Sequence, residues 1–223
     1  MRIKRLIIHN IASVEIADID FEHGPVDRST GGPASLFLIT GDTGSGKSVS
    51  LDCISMALYG TTPRVKGVNG VRNNTYRYGD GNEVSVNDIR QYTRLGISHK
   101  DPCYAKLFFR GNDGVDYEST YTLGYNNRHK FRDPEWTLKI GESEMIGAGK
   151  KEEIQRRIVE AVGLSFEQFG RMAMLAQGQF ANFLTGKKDE RDHILEQLTA
   201  TDHFTRYGDA ISNIFRRTTE AKN

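Results

Sequence analysis

The sequence predicts an α/β fold assembled around one strand–loop–helix unit, and three observations carry that reading. The first is GDTGSGKS at positions 41–48, preceded by the apolar run Leu36, Phe37, Leu38 and Ile39 and followed by Leu51, Ile54 and Leu58 at helical spacing. The second is a group of alternating segments over 2–10, 14–21, 104–110 and 115–123, which read as strands of a small, mostly antiparallel sheet. The third is a change of period after Lys151, where Ile154, Ile158, Ala161 and Val162 form one helical stripe.

Taken in order, 2–10 carries Ile3, Leu6 and Ile8 between charged residues, and 14–21 carries Val14, Ile16, Ile19 and Phe21. These predict an antiparallel pair joined near 10–13. Residues 22–34, with two prolines and three glycines, read as a surface loop. The apolar run at 36–39 is short and continuous, the pattern of a strand buried on both faces, and a helix is expected from about 46 to 59.

Residues 60–81 are poor in apolar side chains and hold Arg64, Lys66, Arg72 and Arg77. They read as a long loop, either a solvated insertion or a nucleic-acid contact. A short helix or turn is expected over 84–92. Gly111-Asn112-Asp113-Gly114 between two β-rich runs is a strong hairpin signal, and 136–140 extends the same sheet. Gly163 is placed to end the helix that begins near Lys151. Ser165 with Gln168 three positions later makes a capping-box pattern at the start of SFEQFGRMAM. Ala176-Gln177-Gly178-Gln179 interrupts, 189–198 reads as helical, and a last helix is expected from about 201.

Composition sets outer bounds. The 223 residues suffice for one large domain or two small ones, and the net charge of +1 leaves nucleic-acid binding to a local patch. Cys53 and Cys103 are the only cysteines, so neither a disulfide framework nor a cysteine metal cluster is expected and a reducing cytosol is the default. No apolar run approaches the length of a membrane span.

The chemistry centres on the glycine loop. Gly41, Gly44 and Gly46 allow a tight turn that exposes consecutive backbone N–H groups, and the helix that follows presents its positive end. Lys47 adds a full charge beside the β- and γ-phosphates of a nucleotide, and the Ser48 hydroxyl suits one position on Mg²⁺. Gly41, Asp42, Thr43, Gly44, Ser45, Gly46, Lys47, Ser48 and Val49 therefore form the candidate cradle for ATP and Mg²⁺. Hydrolysis needs more: an acid at the end of another apolar strand, and nothing convincing of that kind follows Ser48. Either the chain only binds nucleotide, or it is part of a longer protein.

Three stretches together resemble the amino-terminal ATPase segment of the SbcC family, bacterial DNA-repair ATPases of the SMC-like branch of ABC ATPases. They are LFLITGDTGSGKSVSLDCISMALYGTTPR (36–64), RMAMLAQGQFANFL (171–184) and KKDERDHILEQLTATDHF (187–204). The resemblance implies a P-loop NTPase of ABC type: an amino-terminal lobe over 1–200 with a mixed sheet and a small antiparallel sheet, and the start of a coiled-coil helix over 201–223. It makes Gln177 the glutamine that completes the Mg²⁺ shell and senses the γ-phosphate, in a catalytic set with Lys47. Arg94, in Thr93-Arg94-Leu95, falls in a segment that lies near the nucleotide in relatives. Ala12 stands where some relatives carry an arginine, so any nucleotide contact there is by backbone.

The resemblance further implies that the catalytic acids, signature motif and switch histidine lie in a carboxy-terminal lobe beyond this chain. Its implied partners are that lobe, a second head in an ATP-dependent homodimer, the SbcD nuclease and DNA, with no membrane. The chain by itself is then expected to hydrolyse ATP negligibly. Two other classes share the phosphate loop, a chromosome-organising SMC module and a transporter nucleotide-binding domain. The stretches QGQF and ALYG-x-TPR favour the DNA-repair ATPase.

Overall fold

The computed structural model describes residues 1–24, 26, 30–32, 39–66, 75–77 and 81–173. The chain divides into two compact units, Met1–Leu164 and Ser165–Asn223. The expected boundary at 200, the helices expected beyond 189 and the coiled-coil start at 201–223 lie outside the described residues.

The first unit contains strands β1 (Arg2–Ile11), β2 (Val14–Asp20), β3 (Thr75–Arg77), β4 (Glu83–Ser85), β5 (Tyr104–Arg110), β6 (Asp116–Thr122), β7 (Glu135–Ile140) and β8 (Glu144–Ile146). Its helices are α1 (Lys47–Tyr59), α2 (Pro63–Lys66) and α3 (Lys151–Val162), with a 3₁₀ turn at Ile89–Tyr92. Six strands make one sheet in the order β2-β1-β5-β6-β7-β8, and β3 pairs with β4 separately. Every strand pairing among the described residues is antiparallel, and these strands with their helices fit the expected P-loop NTPase-like α/β fold. Of the expected strand over 36–39, residues 36–38 lie outside the described residues. Ile39 is outside any strand and 42% exposed, where the chain already runs into the exposed glycine loop.

One face of the sheet is covered by helix. α1 packs on β1, β5 and β6, and α3 packs on α1 and β7. The core between them holds Leu6, Ile8, Leu107, Phe109, Leu138, Met56, Leu58, Ile154 and Ile158, all fully buried. From Asp52 to Tyr59 every residue of α1 is buried, so the single stripe of Leu51, Ile54 and Leu58 is the wrong description. Leu51 faces outward at 44% exposure, while Cys53, Ala57 and the rest meet protein on several sides. Such a helix is sandwiched rather than laid on a surface.

The sheet is fastened to α1 at one carbonyl. The Ala57 carbonyl accepts from Ser119 Oγ (2.6 Å) and from Trp136 Nε1 (3.1 Å), both fully enclosed. The hairpin between β5 and β6 forms as expected, and its Asn112 has a second task. Its backbone N–H donates to Ala161 O (2.8 Å) and its Nδ2 to Val162 O (2.9 Å), satisfying carbonyls at the end of α3. Gly163 ends α3 at φ +78°.

The alternation in β1 and β2 is less regular than the sequence suggests. A bulge between Ile3 and Arg5 shifts the β1–β5 register, which lets Ile3 pair with Phe109 while Leu6 pairs with Leu107. At the other end Asn10 takes φ +51°, and Ile11 rather than Asn10 is buried. In β2, Ile16 pairs with His9 and points outward at 67% exposure, whereas Ile19 pairs with core residue Leu6. In the second unit, the capping box closes α4 (Phe166–Ala173) reciprocally: Ser165 N–H donates to Gln168 Oε1 (2.8 Å) and Gln168 N–H to Ser165 Oγ (3.3 Å).

Candidate nucleotide-binding site

The glycine loop turns into α1 through Gly46, which sits at φ +91°, ψ 5° and is buried. A Cβ at Gly46 would lie 2.6 Å from Val14 Cγ2, so only glycine lets the β1–β2 turn rest on the loop. A Cβ at Gly41 would fall 2.8 Å from Ser45 Oγ. Among the described residues no side chain caps the start of α1, and no acidic residue lies in its first turn. The helix therefore presents open N–H groups and the positive end of its dipole to the loop.

Lys47 Nζ reaches back over the loop, donating to Gly41 O (2.5 Å), Asp42 O (2.7 Å) and Ser45 Oγ (3.2 Å). The ammonium is thus held in the concavity formed by those residues. Ser48, one position on, is exposed, as are Asp42, Thr43, Gly44 and Ser45, while Lys47 and Val49 are half-buried. An open helix terminus, a glycine turn and the Lys47 ammonium fit a polyphosphate, and the exposed Ser48 hydroxyl would be an oxygen ligand for Mg²⁺. Mg²⁺ held there would supply positive charge against the phosphates.

Arg94 comes to the same neighbourhood. Thr93 bridges to Ile11, Arg94 N–H donates to Asn10 O (3.1 Å), and Arg94 Nη1 donates to Ala12 O (3.4 Å). The guanidinium also lies 3.6 Å from Glu15 Oε2. Arg94 therefore brings a charge to the position where Ala12 has none. Ala12, Gln91, Thr93, Arg94 and Leu95 line a cavity of about 320 Å³. The turn at 12–14 thus contacts Gly46 through Val14 and Arg94 through Ala12. Gln177 lies outside the described residues.

Behind the loop is a polar cluster that sequence reasoning missed. Asp52, one and a half turns after Lys47 on α1, is 1% exposed. Its Oδ2 accepts from the Tyr92 hydroxyl (2.9 Å) and lies 3.3 Å from Arg64 Nε. Because the Tyr92 proton is committed to Asp52, the Thr62 hydroxyl 3.3 Å away donates to the Tyr92 oxygen. Thr62 Oγ1 accepts in turn from Val65 N (3.2 Å), and Ser55 Oγ donates to Thr61 O (3.0 Å). Burial pushes the Asp52 carboxyl above its ordinary value, against the pull of Tyr92 and Arg64, and burial pushes the Tyr92 phenol upward as well. This cluster gives ALYGTTPR a physical account: Gly60 ends α1 at φ +67°, Thr62 starts α2, and Arg64 faces Asp52. The available signal was a lone aspartate within an otherwise enclosed helix.

A family model described as an AAA domain matches residues 5–213. The chain belongs to the AAA domain family. Within it, the chain is 34% identical over 217 residues to the SbcC subunit of the SbcCD nuclease of Pseudomonas aeruginosa, covering 94% of this chain and 17% of that protein. It is 33% identical over 205 residues to the SbcC subunit of Rhodobacter capsulatus, covering 90% of this chain and 16% of that protein. The SbcC subunit of Bacillus subtilis is 31% identical over 191 residues, covering 85% of this chain and 15% of that protein. This AAA domain therefore spans about one-sixth of the length of those curated relatives and is similar to an amino-terminal SbcC segment. No helix among the described residues is long and apolar enough to cross a membrane.

Proposed function

We propose that this chain binds ATP–Mg²⁺ at residues 41–49 and is the ATP-binding part of an SbcC-type protein acting in the cytoplasm on DNA ends and hairpins. The observation that carries the reading is the uncapped, glycine-turned start of α1 with Lys47 Nζ held by the loop carbonyls. Lys47 would bind the β- and γ-phosphates, Ser48 and Gln177 would hold Mg²⁺, and Arg94 would approach a phosphate from the 12–15 turn. Gln177 would also sense the γ-phosphate and act in catalysis with Lys47.

The catalytic acids and the signature motif would come from a carboxy-terminal lobe, joined through a coiled coil that starts within 201–223. Two heads would close on ATP as a homodimer, and an SbcD nuclease would carry the phosphodiester cleavage. ATP binding and hydrolysis would then be coupled to DNA processing. Because phosphoryl transfer needs water positioning and charge stabilisation beyond Lys47 and Ser48, residues 1–223 alone would turn ATP over negligibly. Adding the second lobe would restore activity with more than linear concentration dependence.

Isothermal titration of ATP–Mg²⁺ into the unmodified protein and Lys47→Ala tests the site. Measurable binding that is lost in the variant is the expected outcome, since a full charge against the phosphates is removed. Equal affinity in the two proteins would contradict the assignment.

A further inference from the structure

Asp52 and Tyr92 lie behind the phosphate loop and outside every nucleotide contact assigned above. Tyr92 is 6% exposed and Asp52 1%, so their hydrogen bond is inaccessible to ligand. What they join is informative. Asp52 belongs to the same helix as Lys47 and Ser48, so its carboxylate is a fixed point relative to the phosphate cradle. Tyr92 belongs to the short segment that ends in Arg94, and its own carbonyl accepts from Ala12 N–H (2.7 Å). One tyrosine therefore touches the cradle helix through its hydroxyl and the 12–15 turn through its backbone, two residues before Arg94.

We propose that Tyr92, bonded through its hydroxyl to Asp52, is a positioning residue that sets the distance between Arg94 and the phosphate loop. The inference rests on the reading of Arg94 as a nucleotide contact. The Asp52–Tyr92 bond (2.9 Å) is the polar tie between α1 and the 92–94 segment, and Thr62 and Arg64 hold its two ends in place. Without it the 92–94 segment keeps its pairing with β1 through Thr93 and Asn10 but loses its register against α1. The guanidinium of Arg94, reaching past Ala12 O, is the group whose placement then changes.

The test is a double-mutant cycle in the full-length protein with both lobes, reading the affinity for a fluorescent ATP analogue with Mg²⁺ and the KM and kcat for ATP. Arg94→Ala is expected to weaken nucleotide binding about ten-fold, as loss of a charge-assisted contact does. Tyr92→Phe is expected to weaken it about five-fold, the size of one hydrogen bond, with the change in KM rather than kcat. In the Arg94→Ala background, Tyr92→Phe should add nothing further. Additive losses would overturn the proposal, because a general loss of stability does not depend on Arg94. If Arg94→Ala weakens binding and Tyr92→Phe does not, the proposal fails while the Arg94 reading stands. If Arg94→Ala has no effect, both fall. Asp52→Ala removes the same bond from the other side and should reproduce the Tyr92→Phe result should that variant not fold. Asp52→Asn, which keeps an acceptor for the tyrosine, should recover most of the affinity lost in Asp52→Ala, and no recovery would count against the hydrogen bond.

Discussion

Replacing Gly46 with alanine tests the close approach of the β1–β2 turn to the phosphate loop. Two costs are separable. The backbone at φ +91° disfavours any side chain by about 1–2 kcal/mol. The new Cβ would also sit 2.6 Å from Val14 Cγ2. Carbon atoms in contact prefer about 3.5–4.0 Å, so roughly 1 Å of movement is forced on a packed turn. Overpacking of that kind costs about 1–3 kcal/mol. Gly46→Ala should therefore lose about 2–5 kcal/mol in all. Gly44 supplies the control, since it has φ +88° but no atom within 4 Å of its Cβ position. Gly44→Ala should lose only the backbone share, about 1–2 kcal/mol. Urea unfolding followed by circular dichroism reads both values. Repeating Gly46→Ala in a Val14→Ala background removes the clashing methyl and should bring its cost down to that of Gly44→Ala. An identical loss in both backgrounds would show that the turn does not rest on Gly46 and would refute the argument.

Three further outcomes are expected. Trp136→Phe removes the indole donor to Ala57 O and Ser119 Oγ, but Ser119 still satisfies that carbonyl, so unfolding should ease by only about 2 kcal/mol. Asp116, bonded to Arg110 and then to Lys4, is held down to about 2. Its contribution is thus full above the ordinary carboxylate range near pH 4 and is lost as pH falls toward 2. The acid limb of a stability–pH curve should be shallower in Asp116→Asn, and superimposable curves would count against the pairing. Gln177→Ala in a reconstituted two-lobe complex should lower the ATPase rate with only a modest loss of nucleotide affinity, so equal rates would argue against its proposed role.

What was legible in the sequence follows the range of the interactions. α3, its Gly163 terminus and the Ser165–Gln168 capping box depend on neighbours within a few positions, and they are found where the pattern places them. The hairpin at 111–114 is equally local. The glycine loop was legible as a motif because its residue types at fixed spacing, between an apolar run and a helix, suit a phosphate-binding turn. In β1 the alternation was legible at Leu6 and Ile8, both fully buried, and it breaks at the two ends, where the bulge at Ile3/Arg5 and the left-handed Asn10 shift it; in β2 Ile16 stays exposed although Ile19 pairs with core residue Leu6. β8 and β3 are three-residue strands made by pairing, with too few side chains to show a period. Asp52 was silent because Tyr92 stands 40 positions away, and no local pattern marks a buried carboxylate whose partner is remote.

The place of β1 in the sheet bears on the order in which the molecule assembles. β5, β6, β7 and β8 follow one another as a meander whose pairings close over short loops. Among the described strands β1 joins that meander by pairing with β5, and the Cys103–Asn10 bond at their edge already spans 93 positions. Everything between, the glycine loop and α1 included, is the loop that this pairing must close. Chain-closure entropy is met before such contacts return anything, so contacts this distant form slowly. We infer that the meander collapses first and that Val14 reaches Gly46 only when β1 docks. The nucleotide cradle would then be among the last features to mature. Pulse-labelled amide exchange during refolding should find β5–β7 protected ahead of β1, and simultaneous protection would rule this order out.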